Sequence, residues 1–375
     1  MTLTNIRLGD YIVRSTKNNR DLQYGKEYIT GVNSQGVFAV PKGNTMGVDL
    51  APYKIVQNGA FVYNPTRLEL GSIAYRTEGL CIVSHLYMVF YLTKEGKRII
   101  NPIWLYIYFR RSEFCREVTF RNFGSQRPEF NFNDMSDIII PLPDIETQQK
   151  YVDVYNAMLA NQKSYERGLE DLKLTMDSFY DKLKQSSHKK IADIIKICSN
   201  KNSDFSIPFS QLKGINEFGE FTNTRDSIST DDIDKYFIVD NEMYAANFMC
   251  LGNFRKFYLA YNDFGEKYLV SPACNIFSIV DHSVNPYYFL YVLKRSEFQR
   301  KCVFLGDGNT RGGINVNDFS SMSIPVPASD KQSIISNLYR SFENRRKLNE
   351  KLKAQIKDIC PILIKASIEE ARKEA

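Results

Sequence analysis

Two stretches of the chain place apolar residues at steps of three and four, and the segments before them are patterned differently. After Pro143 the stripe runs Val152, Tyr155, Leu159, Gln162, Leu169, Leu172, Met176, Phe179 and Leu183, with one irregularity around Tyr165 and Glu166. After Pro327 it runs Ile335, Leu338, Phe342, Arg345, Asn349, Leu352, Ile356, Ile359 and Leu363 without a break. This spacing predicts two long amphipathic helices, and stripes this narrow suit coiled-coil seams with a few polar register positions. Start signals agree. Asp144 and Glu146 put a cap and negative charge at the first helix, and Ser329-Asp-Lys-Gln332 fits a capping box at the second. Pro361 is expected to kink or end the second helix, leaving residues 365–375 as a solvated tail.

Ahead of each helix the pattern changes to short apolar runs between turn residues. Tyr28-Ile-Thr-Gly-Val, Phe61-Val-Tyr and Leu86-Tyr-Met-Val-Phe-Tyr-Leu in the first half read as strands. So do Lys267-Tyr-Leu-Val and Asn275-Ile-Phe-Ser-Ile-Val in the second, with Gly, Asn and Pro as punctuation. Globular α/β or α+β domains follow.

The two halves are one plan written twice. Asn101-Pro102, Arg111-Ser112-Glu113-Phe114, Asn133-Asp134 and Ile140-Pro141-Leu142-Pro143 recur as Asn285-Pro286, Arg295-Ser296-Glu297-Phe298, Asn317-Asp318 and Ile324-Pro325-Val326-Pro327, each 184 positions on. At an offset of 183, Gly31, Asn33, Gly36 and Phe38 recur as Gly214, Asn216, Gly219 and Phe221, and Tyr53, Ile55, Val56, Asn58 and Asn64 as Tyr236, Ile238, Val239, Asn241 and Asn247. A register held over so many matches is a tandem duplication. Two equal helices in one chain then suit each other as partners, with amphipathic helices packed each on its own domain as the alternative. At 1.5 Å per residue, a helix of ~35 residues is ~50 Å long. Paired antiparallel, two of them would hold one domain copy near each end, which suits heads that meet DNA about one turn, ~34 Å, apart. Because the heads differ in sequence, their half-sites should differ too.

Composition narrows the field without deciding it. With 375 residues, 43% hydrophobic and 13% aromatic, the chain can bury the cores of about two domains. No run approaches the ~18 apolar residues of a membrane span, and the first ten residues lack a signal-peptide core, so a cytoplasmic protein without a membrane partner is expected. Seven cysteines, never closer than 24 positions, and three histidines (His85, His188, His282) argue against a disulfide framework and against a zinc site. Forty-nine Lys+Arg against 43 Asp+Glu, net +6, permits phosphate binding without demanding it.

The doubled arrangement of a variable domain, a Gly-containing loop, an Asn-Asp step, an Ile-Pro-x-Pro strand and a long helix opening with Gln148 and Gln149, or Gln332, resembles the specificity subunits of Type I restriction-modification enzymes over essentially the whole chain. The resemblance implies an α/β (α+β) fold of two tandem-duplicated target-recognition domains, residues 1–145 and 188–327, separated by two long helices, residues 146–187 and 328–375, that form an antiparallel coiled coil. It implies a non-catalytic chain that binds double-stranded DNA at a bipartite, asymmetric target. It further implies docking of two methyltransferase subunits and of nuclease-translocase subunits. S-adenosylmethionine, ATP and magnesium would belong to those partners, with no cofactor in this chain.

Residues shared by the halves should serve common tasks, and base readers should sit where the halves differ. The loop 124–134 matches 308–318, so Arg127 and Arg311 suit phosphate contacts, with local salt bridges as the alternative. Asn133, Asp134, Asn317 and Asp318 read as capped turns. Among unshared residues, Arg67 and Arg76 in the first half and Arg255, Lys256 and Lys267 in the second are candidate DNA contacts, with Lys54, Lys17, Arg20 and Lys42 weaker ones. Other chemistries fit poorly. Asn285-Pro286-Tyr287-Tyr288 mimics an adenine-methyltransferase tetrad but lacks the second proline, and Asn101-Pro102-Ile103-Trp104 lacks more, so both read as a helix cap followed by proline at the first turn. Asp144 and Glu146 have counterparts Ala328 and Asp330, which suits capping rather than a magnesium nuclease. There is no GxxxxGK[ST] loop. The rival from another class is a two-headed protein-binding scaffold whose incidental DNA contact salt would erase.

Overall fold

Two four-stranded antiparallel sheets, one in each half of the chain, are the same sheet built twice. The computed structural model describes residues 3–41, 43, 45, 47–122, 129–224, 230–250, 256–306 and 313–373. In the first half the strand order is Ile12–Ser15, Met88–Leu92, Ala60–Tyr63, Ile73–Tyr75. In the second it is Ile195–Cys198, Asn275–Ile279, Met243–Asn247, Tyr258–Tyr261. Alternation of side chains divides each central strand between two cores. Phe61 and Tyr63 enter the main core, and Ala60 and Val62 a smaller one on the opposite face. Tyr244 and Ala246 are divided from Ala245 in the same way. Phe61 stacks on Phe90 with centroids 5.0 Å apart, and Tyr244 on Phe277 at 5.2 Å.

Three two-stranded pairs repeat as well. Each Ile-Pro-x-Pro segment forms a strand: Ile139–Leu142 pairs with Thr4–Arg7, and Ser323–Pro325 with His188–Lys190. A lone pair tolerates these prolines because a strand there has a free edge for the missing N–H. The run read from Tyr28 is mostly not a strand. Lys26–Tyr28 is a tight helical turn, closed by Ile29 N donating to Lys26 O; Ile29 makes a single parallel bridge to Ile82, and only Gly31–Val32 forms a strand.

Asn101 and Asn285 cap helices Pro102–Phe109 and Pro286–Lys294, accepting from the backbone N–H groups of Ile103 and Trp104, and of Tyr287 and Tyr288. Proline at the first position has no N–H to leave unsatisfied. The tetrad-like segments are therefore structural caps.

The long helices run Ile145–Leu183 and Ser329–Lys373. Asp144 caps the first, its Oδ1 accepting from Glu146 N and Thr147 N at 3.0 Å. The second opens differently from the expectation. Gln332 does not serve a capping box with Ser329; its buried amide is committed to Asn285 N, Ser283 O and Pro327 O. The expected solvated tail is also corrected. The helix continues through Pro361 to Lys373, because Leu363, Ile364, Ser367, Ile368 and Ala371 are buried and Trp104 Nε1 donates to Ser367 Oγ at 3.1 Å. Burial of that apolar face outweighs the roughly 3 kcal/mol that proline costs inside a helix.

The chain divides into two compact units, residues 1–165 with 348–375, and residues 166–347. In the first unit the start of one helix lies antiparallel to the end of the other: Lys150 Nζ pairs with Glu370 at 2.7 Å, and Gln162 Nε2 donates to Asn349 Oδ1 at 3.0 Å. Val152, Tyr155 and Ile356 are buried there, Leu159 and Ile359 pack beside them, and Leu352 is half-buried. In the second unit Met176, Leu183 and Ile335 are buried, with Phe179, Leu338 and Phe342 packed on them and Leu169 and Leu172 half-buried. Arg345 lies over Gly168. The helices pair along the predicted seam and also close each domain core.

Candidate nucleic-acid interface

The interface candidates stand on a frame that both units share down to single hydrogen bonds. In the first unit Gln148 Oε1 accepts from Asn101 N at 2.7 Å, and its Nε2 donates to Ile99 O and Pro143 O at 2.8 and 2.7 Å. In the second, Gln332 makes the same three bonds with Asn285, Ser283 and Pro327, at 2.8, 2.9 and 2.8 Å. Each glutamine bolts a long helix to the domain beside it. The hairpins Gly31–Val32/Phe38–Ala39 and Lys213–Ile215/Phe221–Asn223 are built alike. Asn33 Oδ1 accepts from Gln35 N and Val37 N, and Asn216 Oδ1 from Phe218 N and Glu220 N. Gly36 and Gly219 take left-handed backbone (φ 74 and 75), which only glycine adopts cheaply.

Beside the first hairpin lies a cleft of about 830 Å³, lined among others by Thr30, Ser34, Arg67, Leu70 and Tyr87. Arg67 is exposed at its rim, opening the turn Leu68–Leu70, and its position suits a contact with a polyanion. Four of the other described candidates are committed to neighbours. Arg76 lies over the Phe38 ring at 5.1 Å and donates to Leu80 O at 3.4 Å. Lys54 Nζ donates to Tyr87 O at 2.6 Å, and burial, assisted by Arg14, lowers its pKa. Lys256 reaches Glu217 Oε2 at 3.6 Å and the ring of Tyr258, and Lys267 pairs with Asp240 at 2.9 Å. Lys17 and Arg20 are exposed. Arg127, Arg255, Arg311 and Lys42 lie outside the described residues.

The Asn-Asp steps lie in the first turns of two short helices, Phe132–Ser136 and Val316–Ser321, rather than in open turns: Asn131 and Asp134 close a capping box, and Asn315 Oδ1 accepts from Asp318 N at 2.8 Å. Among the described residues no group of three or more His, Cys, Asp or Glu could hold a metal ion, and no helix is long and apolar enough to cross a membrane.

Sequence reasoning missed one repeated surface feature. Helices Ser112–Arg121 and Ser296–Gly306 end with Phe120 and Phe304, which are 81% and 78% exposed. One turn earlier, at corresponding positions, stand the exposed Arg116 and Arg300. In sequence, both helices are followed by the segments that carry Arg127 and Arg311. An exposed aromatic beside an arginine can stack on or wedge against a base while the cation meets a phosphate, or can anchor a protein partner. The signal was available: both residues recur 184 positions apart, but outside the motif blocks used to find the register.

The family model for the Type I restriction modification DNA specificity domain matches this sequence twice, at residues 5–171 and 187–358. A Type-I restriction-modification system S subunit from M. genitalium aligns over 98% of this chain and 99% of its own, with 11% identity and a TM-score of 0.57, which shows a shared fold. An HsdS subunit from Thermoanaerobacter tengcongensis aligns over 97% and 96%, with 15% identity and a TM-score of 0.38. No curated protein matches the sequence.

Proposed function

The chain belongs to the Type I restriction modification DNA specificity family, and from that premise we propose that it reads a bipartite, asymmetric DNA target, one half-site per repeat, without chemistry of its own. The observation that carries this reading is the pairing of an identical frame with different surfaces. Gln148 and Gln332 make the same bonds, and Asn33 and Asn216 cap the same hairpins. By contrast, the segment holding Arg67 and Arg76 has no residue-for-residue match around Lys256 and Lys267. Shared residues then hold and position, and unshared ones read. Residues 1–145 and 188–327 are the proposed recognition domains, and the long helices set a gap of roughly 5 to 8 unread base pairs.

Docking of methyltransferase subunits, one per repeat, and of nuclease-translocase subunits completes the proposal. Support comes from Phe120 and Phe304: a surface presented twice suits one partner bound twice. S-adenosylmethionine, ATP and magnesium belong to those partners. The competing protein-scaffold reading shares this feature but gives no reason for divergent heads.

Methylome sequencing of the source cell, with and without this chain and with its partners intact, is the direct test. Loss of methylation at one gapped, asymmetric motif is the expected result, and an unchanged methylome would favour the scaffold. Insertion of one heptad into each long helix should lengthen the gap and leave the half-site bases unchanged. Arg127→Ala or Arg311→Ala should weaken binding to all sequences and flatten the salt slope by about one unit.

A further inference from the structure

One cleft differs sharply between the units although its frame matches. In the second unit a cleft of about 500 Å³ lies among the turn at Phe218, the end of helix Pro286–Lys294, the start of helix Ser296–Gly306 and the two long helices. Its first-unit counterpart is lined at corresponding positions by Arg110 for Lys294, Ser112 for Ser296, Cys115 for Gln299 and Lys357 for Lys173. That first cleft is balanced: Arg110 and Lys357 share it with Glu69 and Asp358, and the Arg110 guanidinium is spent on Gly71 O at 2.5 Å and Ser34 O at 3.3 Å.

The second cleft holds cations that form no ion pair. Six basic side chains line it, Lys173, Lys256, Lys294, Arg295, Arg300 and Arg346, against Asp177 and Glu343. Arg295 is matched by Asp177, Asp181 and Glu297, Arg346 by Glu220 and Glu343, and Lys256 by Glu217. Among the described residues no carboxylate forms an ion pair with Lys173, Lys294 or Arg300; Lys294 Nζ donates only to a carbonyl, Phe218 O, at 2.9 Å.

A second, independent sign is the Tyr339 hydroxyl, which is buried in the wall with no hydrogen-bond partner while its residue is 4% exposed. Its nearest acceptor is Glu343, whose carboxylate is taken by Arg346 at 2.8 Å, so the contact between hydroxyl and carboxylate falls short of a well-formed hydrogen bond. In the first unit the equivalent Tyr155 packs on Tyr106, and the position of Tyr106 is Leu290 in the second. A buried hydroxyl without a partner is costly unless something else supplies one.

We propose that this cleft binds a nucleoside phosphate, its phosphate held by Lys173, Lys294 and Arg300 with the Tyr339 hydroxyl donating, and its ring against Phe218 and Phe342. Its volume lies within the roughly 300 to 1,000 Å³ of small-ligand sites. Ser296, at the positive end of its helix, adds to the attraction for anions. The site should exist once per chain, and it shares Arg300 with the exposed surface at Phe304.

Calorimetric titration of the full chain at low salt, with AMP and separately with inorganic phosphate, tests it. One saturable AMP site per chain is expected, with inorganic phosphate weaker because it lacks the ring. Arg300→Ala and Lys173→Ala, both at exposed positions, should each weaken AMP binding about tenfold. Tyr339→Phe should weaken it several-fold while the melting temperature holds or rises, an outcome that a purely structural tyrosine would not give. Absence of saturable AMP binding overturns the proposal. So does phosphate binding as tight as AMP, which would reduce the cleft to an oxyanion site. Displacement of AMP by non-target duplex would assign the cations to the DNA backbone and overturn it as well.

Discussion

A single buried amide, used twice, shows how residue chemistry specifies this fold. Gln148 and Gln332 are 0% and 1% exposed, and each satisfies one donor and two acceptors that would otherwise be orphaned. Gln148→Ala and Gln332→Ala should each cost about 2 to 4 kcal/mol in urea denaturation, and by similar amounts, because each strands buried polar groups. A large cost at one site and none at the other would deny the equivalence of the two frames. Lys294 offers a pH test. Desolvation is the main cause that lowers its pKa from 10.5 to about 8, with Arg346 and Lys347 lowering it and Glu343 and Glu220 opposing. Between those values the unfolded chain holds more protons than the folded one, so this residue's penalty is full below pH 8 and fades as pH rises toward 10.5. Lys294→Met should therefore stabilise the second unit near pH 7, by at most about 3 kcal/mol, with the gain over wild type shrinking toward pH 10. A gain that does not change with pH would refute the assignment. Paired motifs exposed the register, but not what the residues touch. Asn19 and Asn202, 183 positions apart, clasp their loops through matched bonds to Tyr24 and Ile207, and nothing in the sequence around them marks that role.

At the scale of elements, the second long helix runs through its proline. Pro361 removes one helical donor, and residues beyond it hold the segment in place through Trp104 and Ser367. Pro361→Ala should raise the stability of the first unit by about 1 to 3 kcal/mol, read as an upward shift of the urea midpoint. A loss would mean that the core requires the backbone geometry the proline imposes. This segment was misread because propensity is local, whereas the burial of Ile364 and Ile368 is tertiary. The seam itself was legible: steps of three and four from Val152 to Leu183 and from Ile335 to Ile359 locate the faces on which the helices pair within each unit. Tyr180, Tyr339, Cys360 and Ile364 were not, because they sit beside that stripe and face the domain cores, which no heptad template anticipates. The strands of the central sheets were partly legible. Phe61-Val-Tyr was read as a strand and lies in Ala60–Tyr63, whereas its counterpart Met243–Asn247, buried at its three central positions, lacks the polar alternation that marks a half-exposed strand.

At the scale of the whole molecule, chain order and spatial order disagree. The second unit is continuous, residues 166–347, whereas the first needs residues 348–375 to complete its core. Ile356, Cys360, Leu363, Ile364 and Ile368 join Trp104, Leu105 and Phe114 in one cluster, and Lys150 and Tyr151 both bond Glu370. During synthesis the second unit therefore has all its parts before the first does, against the usual N-terminal-first order. A chain ending at Lys347 should keep the second unit folded and leave the first open, because its main core would lack the whole closing helix segment. Burial of apolar side chains is worth roughly 1.5 to 3 kcal/mol each, so losing five of them is comparable to the whole stability of an ordinary domain. Amide hydrogen exchange on the truncated chain would show this as protection retained in strands such as Met243–Asn247 and lost in Ala60–Tyr63. A synthetic peptide of residues 348–373, added in trans, should restore protection to Ala60–Tyr63, since the bonds from Trp104 to Ser367 and from Lys150 to Glu370 need proximity rather than chain continuity. Full protection without the peptide would show that the first unit folds on residues 1–165 alone, and that the second long helix docks on a finished domain.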